Sequence, residues 1–270
     1  MTATLGVLTS LHRYPVKSMM GEGLNAAHLT ERGLFGDRSY ALYDTETGKV
    51  VSAKNPRKWP NLFSYQATYT SPPVTGSAVP PVRVELPNGA FAVSFSPDFA
   101  SILSATLGRQ VTLLEAPLEK PQLEEYRPDR EESGSPDVVT DESTLAGTFF
   151  DLAMLHILTT ATLDRLRELN PRSRFEPRRF RPNLIVDTGS QKGFVENDWI
   201  GKTIAIGPEV RIHLARPCFR CVMVTLSQAD LPKDPEILKT AAHHNEARVG
   251  AYASVVQSGT IRIGDTLTVI

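Results

Sequence analysis

Apolar and polar residues alternate imperfectly through Gly6–Val16, and more clearly through Ser39–Tyr43, Val82–Leu86 and Phe91–Phe95. A period of two over short runs predicts strands. Thr47-Gly48 and Asn88-Gly89 supply turns, the second between two strand-like runs. The period then changes. Ser96 reads as an N-cap, Pro97 as the first helical residue, Phe99, Ile102, Leu103 and Leu107 as one apolar face, and Gly108 as the stop. Val111–Leu114 reads as a further strand.

Between Pro117 and Asp141 the pattern fades into Glu, Asp, Arg, Pro and Ser with few apolar anchors, which predicts a surface linker between two units. Beyond it, Phe149-Phe150-Asp151 opens a buried-looking run to Leu158. A helix is expected from Thr159 or Thr160, carrying Leu163, Leu166 and Leu169 and ending at Asn170-Pro171. Strands are expected at Asn183–Val186, Thr203–Ile206, Val210–Ala215 and Val222–Leu226. A short helix starts at Asp234-Pro235, bearing Ile237, Leu238 and Ala241. The tail alternates through Gly259–Ile263 and Thr266–Ile270, around a Gly264-Asp265 turn.

Composition narrows the class. The chain of 270 residues is 41% hydrophobic and 22% charged, enough to bury a core. Twenty Pro and eighteen Gly fit many turns and short strands. A net charge of −1 gives no general attraction to nucleic acid or anionic membrane, and no apolar run reaches spanning length. Neither nucleic acid nor membrane is therefore an expected partner. With no signal-peptide pattern at Met1–Leu8 and only two cysteines, a cytoplasmic location is expected.

Those cysteines lie in Pro217-Cys218-Phe219-Arg220-Cys221. A structural zinc site needs two more ligands, and the adjacent His243 and His244 fit no standard spacing. A thioredoxin-like pair needs a helix N-terminus after a strand, whereas this pair lies between two strand-like runs. Two buried cysteines acting as small hydrophobes are the plain alternative. Arg216 and Arg220 flank the thiols, and positive charge favours thiolate, a soft ligand that completes a metal already chelated elsewhere.

Three distant segments carry groups suited to a phosphate: Tyr14-Pro15-Val16-Lys17-Ser18, Gly36-Asp37-Arg38 and Phe180-Arg181-Pro182-Asn183. Each alone also fits a surface cation on a turn. The run Arg172, Arg174, Arg178, Arg179, Arg181 lacks an aromatic platform and reads as a solvated loop. No Ser-His-Asp order, Walker loop or dinucleotide fingerprint occurs.

Taken together these segments resemble the MOSC family. The resemblance is carried by YPVKS at Tyr14–Ser18, GLFGDRSYAL at Gly33–Leu42, VSAKNPRKWPNL at Val51–Leu62, LHILTTATL at Leu155–Leu163, FRPNLIV at Phe180–Val186, RPCFRCVMVTL at Arg216–Leu226 and GTIRIGDTL at Gly259–Leu267. It implies a β-rich α+β fold: an N-terminal MOSC-associated β-barrel domain over 1–118, a linker over 119–140, and a MOSC β-barrel domain with a few peripheral helices over 141–270.

The relatives with studied activity are the amidoxime reducing components and YcbX-like proteins. Similarity to them implies the molybdenum cofactor, Mo-molybdopterin, as cofactor, and reduction of small N-hydroxylated substrates of the hydroxylamine or amidoxime type. By the same resemblance Cys221 is the metal ligand and, with Asp151, a catalytic residue. Lys17, Ser18, Arg38, Arg181, Asn183 and Arg220 are the cofactor-binding residues. Leu152-Ala153 stand where the amidoxime reducing components have Thr-Ser, and Ser227 where they have Asp. Two cysteines are too few for an iron–sulfur cluster, so a separate flavin or iron–sulfur protein is the expected electron donor. The rival expectations are a sulfur-carrier or sulfur-transfer module related to molybdenum cofactor sulfurase, and a cofactor-free binding protein.

Overall fold

The computed structural model describes residues 3–116, 121–127, 138–143 and 148–270. Its centre is a closed barrel whose neighbours run Leu184–Asp187, Leu155–Thr159, Arg248–Gln257, Val210–Phe219, Thr203–Ile206, Thr266–Val269 and Thr4–Arg13. The last of these pairs back onto the first. Most pairings are antiparallel. The exception joins Leu155–Thr159 to Leu184–Asp187, and the helix Thr160–Leu169 makes the crossover. Thr159 caps that helix, its hydroxyl accepting from the Thr162 amide at 3.1 Å. Inward side chains from every barrel strand, among them Leu8, Ile157, Val186, Ile204, Leu214, Ala251 and Leu267, form one core.

The closing strand, Thr4–Arg13, belongs by sequence to the first unit but is a stave of the second. Its inward side chains, Leu5, Leu8 and Leu11, fall three residues apart rather than two. Two irregularities in its register, at Thr4/Gly6 and Leu8/Ser10, account for the imperfect pattern.

The second core is built from Val16, Leu42, Trp59, Phe63, Tyr65, Val84, Leu103 and neighbours. It lies among a sheet containing Val111–Glu115 and Tyr40–Asp44, the three-stranded sheet Gln66–Tyr69, Val82–Glu85 and Phe91–Val93, and the helix Phe99–Leu107. That helix ends at Gly108, which is left-handed as expected. Its start is later than expected: Asp98 precedes the first helical residue, and the Ser96 carbonyl accepts from the Phe99 amide.

Two expectations are corrected. Part of the segment taken as a linker is strand: Gln122–Arg127 and Val138–Ser143 pair antiparallel and join the sheet through Lys49–Val50. Lys49 and Lys58 reach Glu124, and Lys49 reaches Asp141, so charge pairing anchors a ribbon whose one buried apolar side chain is Leu123. Residues 117–120 and 128–137 of that segment lie outside the described residues. Val222–Leu226, expected as a strand, is instead a 3-10 turn over Val222–Thr225. Its β-branched residues read as strand, but the fully buried Arg179 accepts the role of a sheet neighbour by donating to the Val224 and Leu226 carbonyls. Leu226 then docks in the second core and Val224 in a third, smaller one, tying the cysteine segment to both units. Among the described residues no helix is long and apolar enough to cross a membrane.

Candidate functional site

Where the long strand Val210–Phe219 leaves the barrel, its register slips twice, between Leu214 and Arg216 and between Pro217 and Phe219. The slips turn Cys218 inward and bring Cys221 to the wall of a cavity of about 400 Å³. That volume lies in the range of small-molecule and cofactor sites. The neighbouring strand passes close enough to need glycine. A Cβ on Gly250 would sit 2.2 Å from the His156 ring and 2.5 Å from the Ile157 carbonyl.

Arg38, Asp151, Arg181, Asn183, Arg220 and Cys221 line this cavity together. They come from segments far apart in sequence, and nothing in surface chemistry requires them to meet. Arg38 has a left-handed backbone (φ 50°). Its guanidinium pairs with Asp37 and stacks 4.8 Å from the Tyr14 ring and 5.5 Å from Phe150. Arg181, also left-handed, stacks on the same Tyr14 ring at 4.2 Å and donates to the Met19 carbonyl at 2.6 Å. Burial, with Arg38 adding to it, pulls the Arg181 pKa down to about 10. Two cations stacked on one tyrosine in a buried site form a ready place for an anion.

Lys17 is not on the cavity wall but lies behind Asp151, which is. Its buried ammonium donates to the Phe149 carbonyl at 2.7 Å and pairs with the Asp151 carboxylate. Burial alone would raise the Asp151 pKa, but Lys17 and Lys54 outweigh it and hold it at about 2, below its ordinary 3.8. A carboxylate lowered on folding stabilises the native state only while ionised. Asp151→Asn is therefore expected to destabilise the protein near neutrality. The gap from the parent should narrow as pH falls from 3.8 to about 2. Urea midpoints of both proteins across that range check this, and a gap that ignores pH contradicts it.

Asn183 lines the cavity, yet its amide is engaged elsewhere. Oδ1 accepts from the His156 amide, and Nδ2 donates to Asp37 and to the His12 carbonyl. Ser18 is not on the cavity wall: its hydroxyl accepts from the Ala53 amide at 3.1 Å. Asn183 thus lines the cavity while tying the two units together, and the Ser18 hydroxyl locks a turn.

The two thiols differ in environment. Cys221 is partly exposed on the wall, and burial pushes its pKa up against the pull of Lys54 and Arg220. Cys218 is fully buried. Burial would raise its pKa, but Arg220 and then His156 hold it at about 6. Arg220 donates to the Cys218 sulfur at 2.6 Å and to the Phe180 carbonyl at 2.9 Å, while its buried Nε has no partner. The thiolate-favouring effect expected of Arg220 thus falls chiefly on Cys218. Among the described residues no group of three His, Cys, Asp or Glu side chains is placed to hold a metal ion.

Lys54, Glu125 and Glu142 also line the cavity and were missed by sequence reasoning. Lys54 lies 3.1 Å from Glu125 and 3.7 Å from Asp151. It sits in the motif Val51–Leu62, but without phosphate-site neighbours in sequence it carries no chemical signal. The two glutamates stand on the ribbon that was read as a linker.

Comparison with known proteins gives two family matches: residues 5–95 match the MOSC N-terminal beta barrel domain and residues 146–268 the MOSC domain. The chain is similar to Molybdenum cofactor sulfurase from Drosophila persimilis, 34% identical over 92 residues, 33% of this chain and 11% of that protein. The same protein from Drosophila pseudoobscura pseudoobscura is 35% identical over 82 residues, 30% of this chain and 10% of that protein. The chain thus spans about a tenth of the length of the curated relatives it matches. Among solved structures, the YUAD protein from Bacillus subtilis covers 100% of this chain and 98% of its own, with 11% identity and a TM-score of 0.49.

Proposed function

The chain belongs to the MOSC family, with the MOSC N-terminal beta barrel domain preceding the MOSC domain, and on that premise we propose that it is a molybdenum-cofactor-binding oxidoreductase. The substrates are small N-hydroxylated compounds, and electrons come from a separate flavin or iron–sulfur protein. The observation that carries the reading is the convergence of Arg38, Arg181 and Arg220 on one cavity with the Cys221 thiol in its wall.

The donor set fits the cofactor. A lone thiolate holds an aqueous metal ion weakly but suits a soft centre already chelated by a dithiolene. The buried, unpartnered Nε of Arg220 marks a polar position in the wall left for a ligand. When bound, the cofactor supplies two-electron oxygen-atom chemistry at its metal. Cys221 anchors the metal. Arg38 and Arg181, stacked on Tyr14, bind the anionic end, with Lys17 adding positive charge from behind. Asp151, whose carboxylate Lys17 and Lys54 hold in the ionised form, keeps the two ammonium groups in place at the cavity wall.

Charge-assisted contacts of the kind assigned to Arg181 contribute about 1.5–3 kcal/mol each. Arg181→Ala is expected to weaken cofactor retention about tenfold or more. Pterin released from variant and parent after identical dialysis measures this. Equal retention removes Arg181 from the binding set.

The similarity to Molybdenum cofactor sulfurase favours a second reading, transfer of sulfur to or from the cofactor. Reduction of benzamidoxime by loaded protein with a reduced viologen dye supports the reductase. No reduction, together with activation of a molybdoenzyme that needs a terminal sulfur, supports the alternative.

A further inference from the structure

We propose that Glu125, presented by the ribbon Gln122–Arg127 and Val138–Ser143, is a substrate-recognising residue. It selects, among N-hydroxylated compounds, those with an amino group on the carbon that bears the N–O nitrogen: amidoximes and N-hydroxyguanidines. This rests on the reductase reading above.

The ribbon lies outside both matched ranges, which end at residue 95 and resume at 146. Strand register decides what it shows to the cavity. Leu123 and Glu125 stand two residues apart on one face, and pairing sets Glu142 opposite Leu123. All three line the cavity that holds Cys221 in its wall. Glu124 faces the other way, where Lys49, Asn55 and Lys58 take up its carboxylate. Leu123 fixes this register by packing with Ala41, Val50 and Phe149. The Tyr126 amide adds to it by donating to the Lys54 carbonyl at 2.9 Å.

Glu125 ends a row of alternating charge. Lys17 pairs with Asp151, Asp151 lies 3.7 Å from Lys54, and Lys54 lies 3.1 Å from Glu125. Asp151 and Lys54 each have a neighbour of opposite sign on both sides. Glu125 has one. Lys54 takes its Oε2, while Oε1 has no hydrogen-bond partner among the described residues. The next place in the row calls for a cation. Because the Glu125 side chain is only 17% exposed, water screens that attraction less than at an open surface. The Glu125 charge is also felt at the Cys221 thiol, where it opposes Lys54, which sets it on the Cys221 side of the cavity.

Reduction of an amidoxime turns a neutral substrate into a cation. The N–O bond of R–C(NH₂)=N–OH breaks, two electrons come from the donor protein and three protons from water, and R–C(NH₂)₂⁺ and H₂O leave. A carboxylate accepting from the amino N–H of the substrate pairs more strongly as the positive charge develops. An arylhydroxylamine lacks the second nitrogen and leaves as a neutral amine, so it gains nothing from Glu125.

Benzamidine, the product of benzamidoxime, is the probe, titrated into the purified protein. Glu125→Gln keeps the shape and removes the charge. It should weaken benzamidine binding about tenfold. With reduced viologen dye it should lower kcat/KM for benzamidoxime by a similar factor, and for phenylhydroxylamine far less. Glu125→Asp should recover part of the loss. Glu124→Gln removes a carboxylate from the opposite face of the same strand and should leave benzamidine binding unchanged. Benzamidine bound equally by the parent and Glu125→Gln overturns the proposal. So do equal losses for the two substrates, or a loss with Glu124→Gln as large as with Glu125→Gln. Absence of dye-driven turnover of either substrate by the loaded parent strikes the reductase reading instead, while the benzamidine titration still reads Glu125.

Discussion

Replacing Cys221 by Ser is expected to leave the protein without molybdenum and without reductase activity, while Cys218→Ser keeps the metal. Two facts separate the thiols. Cys221 opens onto the cavity, with Lys54 and Arg220 near enough to pull its pKa down, and metal binding completes the deprotonation that burial resists. Cys218 is sealed away from the cavity and engaged by Arg220. Serine at 221 offers a hard hydroxyl where a soft anion is needed. Serine at 218 removes a partner of Arg220 and should loosen the cofactor without releasing it. Elemental analysis of the three purified proteins decides the matter. Equal metal loss from both substitutions points to a site using two thiolates.

The second large effect is expected at Arg179, which touches no candidate ligand. It is 1% exposed, and its guanidinium donates to four carbonyls: Arg174, Val224, Leu226 and Pro232. Two of these belong to the turn that follows Cys221. Arg179→Leu fills much of the space but leaves the carbonyls buried without donors. Each such group costs about 1–3 kcal/mol, so a loss of about 3 kcal/mol or more is expected in urea unfolding. Arg179→Lys keeps the charge but loses the fork, and should fall between leucine and the parent. A leucine variant as stable as the parent would mean that water has replaced the guanidinium, and Cys221 would then need another support.

Much of the fold is legible in the chain because the signals are local. The alternation in Val210–Ala215, the Thr159 cap and the Gly108 stop each fix an element from a few neighbouring residues. What is not legible depends on distant partners. The ribbon Gln122–Arg127 and Val138–Ser143 is anchored by lysines from 49 to 58, so its own sequence lacks the apolar spacing of a strand. Val222–Thr225 has strand-like residues, but the donors that hold it as a turn come from Arg179. The same contrast divides the site. Arg38 and Arg181 stand in short motifs with turn-forming neighbours, whereas Lys54 acquires its place only when Glu125 and Asp151 are brought beside it. Ser18 shows the reverse: a motif position beside Lys17 whose hydroxyl folding directs to a backbone amide.

The central claim is that the cavity beside Cys221 holds the molybdenum cofactor. Metal and pterin analysis of the parent protein, produced in a host supplied with molybdate and purified without reconstitution, tests it most directly. The expected result is near-stoichiometric molybdenum, with an equal amount of pterin released on denaturation. Protein that is folded and free of both, or that carries zinc in their place, contradicts it.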